Sequence, residues 1–144
     1  MTRAVIAGYV RSPFTPARRG ALASVRADDL MAAVIRALIE RSGIPADAVE
    51  DVLVGCAFPE AETGMNLGRV LALGAGLPIE TSGMTVNRFC SSGLQAIADA
   101  TAKIQAGWSD VIIAGGVETM SHIPMGGSQF RPDPDWGDRP NTYV

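Results

Sequence analysis

Apolar positions along the chain fall into two patterns, namely short continuous runs and longer stretches with helical spacing. The run at residues 3–10 predicts a first strand, apolar enough to be covered on both faces. Over residues 28–42 the apolar positions recur every three or four residues, with acids in the first turn and an arginine in the last, which predicts a helix. The apolar positions of that helix are Leu30, Met31, Val34, Ile35, Leu38 and Ile39.

The same alternation continues along the chain. The pattern predicts strands over residues 51–56, 84–88 and 110–114, and helices over residues 66–75 and from the low nineties to about residue 106. Strands that alternate with helices favour a mostly parallel sheet with helices packed on its faces. The fold class is therefore α/β.

Composition and charge exclude several classes of protein. The chain has 144 residues, of which 47% are hydrophobic and 19% charged, as in a globular domain, and its net charge is only -3. Acids and bases are interspersed, so no basic stripe for a nucleic acid is present. No apolar run has membrane-spanning length and the N-terminus has no signal-peptide layout. We therefore expect a cytoplasmic protein without stable membrane insertion.

The two cysteines, Cys56 and Cys90, lack the spacing of a zinc site or a disulfide framework. Cys90 follows a predicted strand and precedes a predicted helix, so its sulfur lies near unpaired N–H groups and the positive end of the helix dipole. This position favours a thiolate nucleophile, although a small buried hydrophobe is an equal alternative on this ground alone. Cys56 ends a strand beside Gly55 and is interpreted as a structural, buried thiol.

The residues around Cys90 resemble the active-site signature of the thiolase family. Residues 86–96 read V-N-R-F-C-S-S-G-L-Q-A, against V-N-x-x-C-x-S-G in that family. Residues 11–14, 64–69 and 115–121 are similar to its R-T-P-x, G-x-N-x-A-R and G-G-x-E-x-M-S segments. Gly68 replaces the usual alanine, a change expected to be harmless. The resemblance covers essentially the whole chain and favours the nucleophile interpretation of Cys90.

This resemblance implies an acyl-CoA acyltransferase. The Cys90 thiolate would attack a 3-ketoacyl-CoA, hold the acyl group as a thioester and pass it to CoA, or run the reverse Claisen condensation. The backbone N–H of Cys90 would donate to the developing oxyanion. Coenzyme A would be a substrate, with no cofactor and no metal, and the full-length protein a homodimer or homotetramer. The sequence around Cys90 looks more like that of the degradative thiolases of fatty acid β-oxidation than that of the biosynthetic thiolases, which more often carry C-G-S-G.

The family's architecture is two α/β halves with a loop domain inserted in the first. By this likeness residues 1–121 are an N-terminal thiolase half and residues 122–144 begin the inserted loop domain. The final strand of that half, most of the loop domain and the C-terminal half would be absent. The family's G-H-P histidine and C-x-G-G-x-G cysteine do not occur in this sequence, and its only histidine, His122, is interpreted as an ordinary satisfied side chain. We therefore expect the 144-residue chain alone to be inactive.

Other interpretations stay open at this point. The missing histidine and second cysteine suit a non-catalytic thiolase-like lipid-carrier or assembly module, and an activated cysteine alone suits a redox sensor. Glu118 is either a hydrogen-bonded acid near the site or, preferably, a solvated loop charge. Asn87 is expected to brace the backbone beside Cys90 rather than touch substrate. A tight turn is enough to explain the glycines at 115–116.

Overall fold

The computed structural model describes residues 3–129, 131 and 134. At its centre is a three-stranded parallel sheet of order β2–β1–β3, formed by β1 (Asp51–Gly55), β2 (Ser82–Val86) and β3 (Ile112–Gly116). The register pairs the last residue of β1 with the last residue of β2 on one side and of β3 on the other. All three strands therefore end at the same edge of the sheet.

Three helices cover the two faces of this sheet: α1 (Ala27–Ser42), α2 (Leu67–Gly74) and α3 (Ser92–Gln105). Short 3₁₀ turns lie at Ala46–Ala48 and Ala61–Thr63. On β1 the side chains alternate between the faces. Val52 and Val54 belong to a core shared with α1 and α2, whereas Leu53 packs with Ala96 and Ala100 of α3. Every residue of β1 is buried, as expected of a central strand covered on both sides.

The α/β class, the parallel sheet and the three helices confirm the sequence prediction, but β2 and β3 differ from the predicted bounds by two residues. β2 covers residues 82–86 rather than 84–88, and β3 covers 112–116 rather than 110–114. The N–H groups that would have extended these strands have other acceptors. The N–H of Arg88 donates to Ser92 Oγ at 2.8 Å, and the N–H of Asp110 donates to the Glu50 carboxylate at 2.5 Å.

The predicted strand at residues 3–10 is wrong. In the structure this segment has no regular secondary structure and lies against the C-terminal part of α1, where the Arg41 guanidinium carbon is 5.8 Å from the Tyr9 ring centroid. A strand needs a neighbouring backbone for its hydrogen bonds, and within the described residues neither sheet edge pairs with this segment. Its apolar side chains stay exposed, Val5 by 78% and Ile6 by 79%.

The predicted domain boundary after residue 121 stays a prediction. Residues 121–129 form a succession of turns, and most of the remainder of segment 122–144 lies outside the described residues. Among the helices that the structure describes, none is long and apolar enough to cross a membrane.

Candidate active site

Cys90 lies at the corner between β2 and α3, at the edge where all three strands end. It follows the last residue of β2 by four positions and precedes the first residue of α3 by two. Its side chain is exposed, whereas Cys56, which follows β1 at the same edge, is 1% exposed. The structure thus does not support the interpretation of Cys90 as a buried hydrophobe.

Two glycines of the sheet let the first turn of α3 approach it closely. A Cβ placed on Gly55 would lie 2.6 Å from the Ser92 carbonyl oxygen, and one on Gly116 would lie 3.2 Å from the Gly93 Cα. Any side chain at these positions would push the helix start, and Cys90 with it, away from the sheet. The tight turn predicted for Gly115 and Gly116 is wrong, because both residues belong to β3.

The side chain of Asn87 joins the Cys90 corner to the loop that follows β1. Its amide nitrogen donates to the Ala57 carbonyl at 2.9 Å, and its Oδ1 accepts the N–H of Phe89 at 3.0 Å. Both contacts are to backbone, as the sequence interpretation of Asn87 requires.

Glu118 reaches the same loop from the end of β3. Its carboxylate accepts the Ala57 N–H at 2.7 Å and lies 3.6 Å from Cys56 Sγ, although the residue as a whole is exposed. Glu118 is therefore a hydrogen-bonded acid rather than a merely solvated charge, contrary to the preferred interpretation. Burial and the charge of Glu118 raise the pKa of the Cys56 thiol to about 11. A thiol held in its neutral form is a poor nucleophile, so Cys56 is suited to a structural role.

Both ring nitrogens of His122 have hydrogen-bonding partners. Its Nδ1 lies 2.9 Å from Glu62 Oε1, and its Nε2 lies 3.0 Å from the Ala23 carbonyl oxygen. Glu62 also accepts the N–H of Ala27 at the start of α1, at 2.9 Å. His122 thus ties the segment after β3 to the segment before α1, as expected of a satisfied histidine.

Sequence reasoning missed Ser92. Its side chain is 4% exposed and bonds to the backbone on both sides of the peptide between Arg88 and Phe89. The serine of V-N-x-x-C-x-S-G was the available signal, but the motif alone does not tell which way a hydroxyl points. Within the described residues, no group of three or more histidine, cysteine or acidic side chains is arranged to hold a metal ion.

Comparisons with known proteins agree on one family. A family model described as "Thiolase, N-terminal domain" matches residues 4–140. The chain is 47% identical over 133 residues to a 3-ketoacyl-CoA thiolase of Bacillus subtilis (strain 168), covering 92% of this chain and 34% of that protein. It is 50% identical over 132 residues to a β-ketoadipyl-CoA thiolase of Acinetobacter baylyi, covering 90% and 33%.

A solved structure shows the same likeness in three dimensions. The crystal structure of the Bacillus anthracis acetyl-CoA acetyltransferase matches with a TM-score of 0.80 at 37% identity, over 96% of this chain and 34% of that chain. The chain spans about a third of the length of the relatives that it matches.

Proposed function

Because this chain belongs to the thiolase family, whose N-terminal domain matches residues 4–140, we propose that it supplies the nucleophile, Cys90, of a thiolase-type acyl-CoA acyltransferase. One observation carries the proposal. An exposed cysteine lies at the strand-to-helix corner, inside the V-N-R-F-C-S-S-G segment and two residues before the first residue of α3. Residues 1–121 would be the N-terminal α/β half of the enzyme and residues 122–144 the start of its loop domain.

In the proposed reaction the Cys90 thiolate attacks the ketone carbon of a 3-ketoacyl-CoA. The bond between that carbon and C2 breaks, and C2 takes the electron pair and one proton from a general acid, which releases acetyl-CoA. The acyl group is left on Cys90 as a thioester. A CoA thiol, deprotonated by a general base, then attacks this thioester and regenerates the Cys90 thiolate. In this proposal the backbone N–H of Cys90 stabilises the oxyanion of the thioester step.

The acid and base of these steps are assigned to no described residue. The resemblance places them in the family's G-H-P and C-x-G-G-x-G segments. The names of the relatives support a 3-ketoacyl-CoA as the substrate class, with CoA as second substrate. A homodimer or homotetramer and a cytoplasmic location stay predictions from the resemblance and the composition.

Trapping of the covalent intermediate tests the proposal. The full-length protein is mixed with a 3-ketoacyl-CoA, quenched in acid and digested, and the peptide that contains Cys90 is weighed by mass spectrometry. We expect it to carry one acyl group, and Cys90→Ser to abolish the adduct, because a thioester requires the sulfur. Cys56→Ala is the matched cysteine control and should keep the adduct. An acyl group that persists in Cys90→Ser would refute the mechanism and favour a non-catalytic thiolase-like module.

A further inference from the structure

The residue immediately before Cys90 has a strained backbone. Phe89 has a φ of 46°, in the left-handed region that a bulky aromatic residue rarely occupies. Such a conformation is strained and persists only where the surroundings impose it. The side chain of Phe89 is 61% exposed, so burial of the ring does not account for the conformation.

Hydrogen bonds from two side chains hold both polar groups of the Phe89 backbone. The N–H of Phe89 donates to Asn87 Oδ1 at 3.0 Å, and its carbonyl accepts the hydroxyl of Ser92 at 2.6 Å. Ser92 Oγ also accepts the N–H of Arg88 at 2.8 Å. We call Asn87 and Ser92 together the Phe89 clamp.

Each half of the Phe89 clamp is anchored to a different part of the sheet. Asn87 donates to the Ala57 carbonyl, and the N–H of Ala57 is bound by Glu118, so this half is joined to the segments that follow β1 and β3. Ser92 is the first residue of α3 and is buried at the point where Gly55 brings β1 against that helix. The strain at Phe89 is therefore imposed from two independent directions.

We propose that Asn87 and Ser92 are positioning residues, which hold Phe89 in its left-handed conformation and so fix the direction of the Cys90 side chain and N–H. The inference rests on the proposed role of Cys90 as the nucleophile. If Phe89 relaxed to an extended conformation, the peptide between Phe89 and Cys90 would rotate and both groups would turn from the acyl carbon. Misplacement by about 1 Å lowers rates on the order of a hundredfold.

The test measures kcat and KM of full-length Ser92→Ala and Asn87→Ala. We expect kcat to fall about tenfold or more with KM nearly unchanged, because the clamp orients the nucleophile without binding substrate. Ser42→Ala is the matched control, since it removes a serine-to-backbone bond of the same kind at the end of α1, 3.2 Å to the Ile39 carbonyl. Wild-type kcat in both clamp variants would overturn the proposal.

A double-mutant cycle separates positioning from ordinary structural support. Glycine adopts a positive φ without strain, whereas in the wild type the relaxation of Phe89 offsets part of the lost hydrogen bonds. Ser92→Ala should therefore destabilise the protein more in a Phe89→Gly background than in the wild type. Equal losses of stability in the two backgrounds would show that the clamp holds no strain, which would also overturn the proposal. Cys90→Ser distinguishes the two levels of inference. If it retains turnover, the proposed function fails; if it is inactive while both clamp variants are normal, only the clamp fails.

Discussion

The thiol of Cys56 donates a hydrogen bond to the carboxylate of Glu118, with 3.6 Å between Sγ and Oε1. The same carboxylate holds the N–H of Ala57, the next residue along the chain, at 2.7 Å. Glu118 therefore fixes the end of β1 from the segment that follows β3. Because Cys56 is buried beside this negative charge, the pKa of its thiol is raised and the thiol stays protonated at neutral pH. Cys90, in contrast, is exposed.

The two cysteines should differ in reactivity. In the folded full-length protein at neutral pH, we expect iodoacetamide to label Cys90 well before Cys56, because the thiolate is the reactive form and the pKa of Cys56 is raised to about 11. Peptide mass mapping over a time course measures both rates. Cys90→Ser should remove the fast phase alone. Faster loss of the Cys56 thiol would contradict the assignment of the two roles.

The raised pKa of Cys56 also predicts a pH dependence of stability. Below pH 9 both the folded and unfolded states keep the proton, so the stabilising contribution is fully present. As pH rises from about 9 towards 11 the unfolded chain loses its proton first, and the free energy of unfolding falls. A shift of this size corresponds to roughly 2–3 kcal/mol at most.

Urea unfolding at several pH values between about 8 and 11 measures this effect. Other groups titrate in the same range, so wild type is compared with Cys56→Ala, and the difference between the two curves isolates the thiol. Glu118→Gln should make the loss of stability smaller and end it at lower pH, since it removes a charge that raises the pKa of Cys56 in the folded state only. Parallel curves for wild type and Cys56→Ala would contradict this prediction.

The helices and the Cys90 corner were predictable because they depend on local order in the sequence. Helix α1 combines apolar spacing with acids in its first turn and ends at Gly43, which has a φ of 69°. The order of strand, cysteine and helix around Cys90 places that residue at a sheet edge once the sheet is known to be parallel. These features required no knowledge of distant contacts.

The failures share a different cause. Whether residues 3–10 form a strand depends on a neighbouring strand that the segment itself cannot specify. The two-residue differences in β2 and β3 arise because the side chains of Ser92 and Glu50 take N–H groups that the pattern assigned to the ladder. Glu50 lies sixty residues before the N–H that it accepts. The glycines at 115–116 suggested a turn, but Gly116 allows α3 to approach β3 and Gly115 leaves room for Met31 of α1. Such close approaches are not encoded in the local pattern.

Gly68 and Gly74 offer a matched pair of substitutions on helix α2. A Cβ on Gly68 would lie 2.7 Å from the carbonyl carbon of Met84 in β2, whereas one on Gly74 would have only Ala32 Cβ within 4 Å, at 3.8 Å. Glycine at position 68 fits this packing, whereas alanine would force α2 away from β2. We expect Gly68→Ala to destabilise by about 1–3 kcal/mol and Gly74→Ala to stabilise by about 0.5 kcal/mol.

Chemical denaturation of the two glycine variants measures both changes. The two substitutions are expected to change the free energy of unfolding in opposite directions. The helix propensity of alanine favours both of them, so the contact with β2 accounts for the difference. If Gly68→Ala proved as stable as Gly74→Ala, the close packing of α2 on β2 would be refuted.

His122 is the only histidine of the sequence, and its contacts predict that it is not the catalytic base. A base must lie within hydrogen-bond reach of the proton that it removes. Both ring nitrogens are instead occupied, Nδ1 by Glu62 at 2.9 Å and Nε2 by the Ala23 carbonyl at 3.0 Å. We therefore expect full-length His122→Gln to form the acyl adduct on Cys90 and to keep kcat within about threefold of wild type, since an essential base would contribute about a hundredfold or more.

Loss of the two contacts of His122 should lower the free energy of unfolding by about 1–2 kcal/mol, a stability effect without a kinetic one. A fall in kcat as deep as that of Cys90→Ser, in a variant that remains folded, would instead identify His122 as the base.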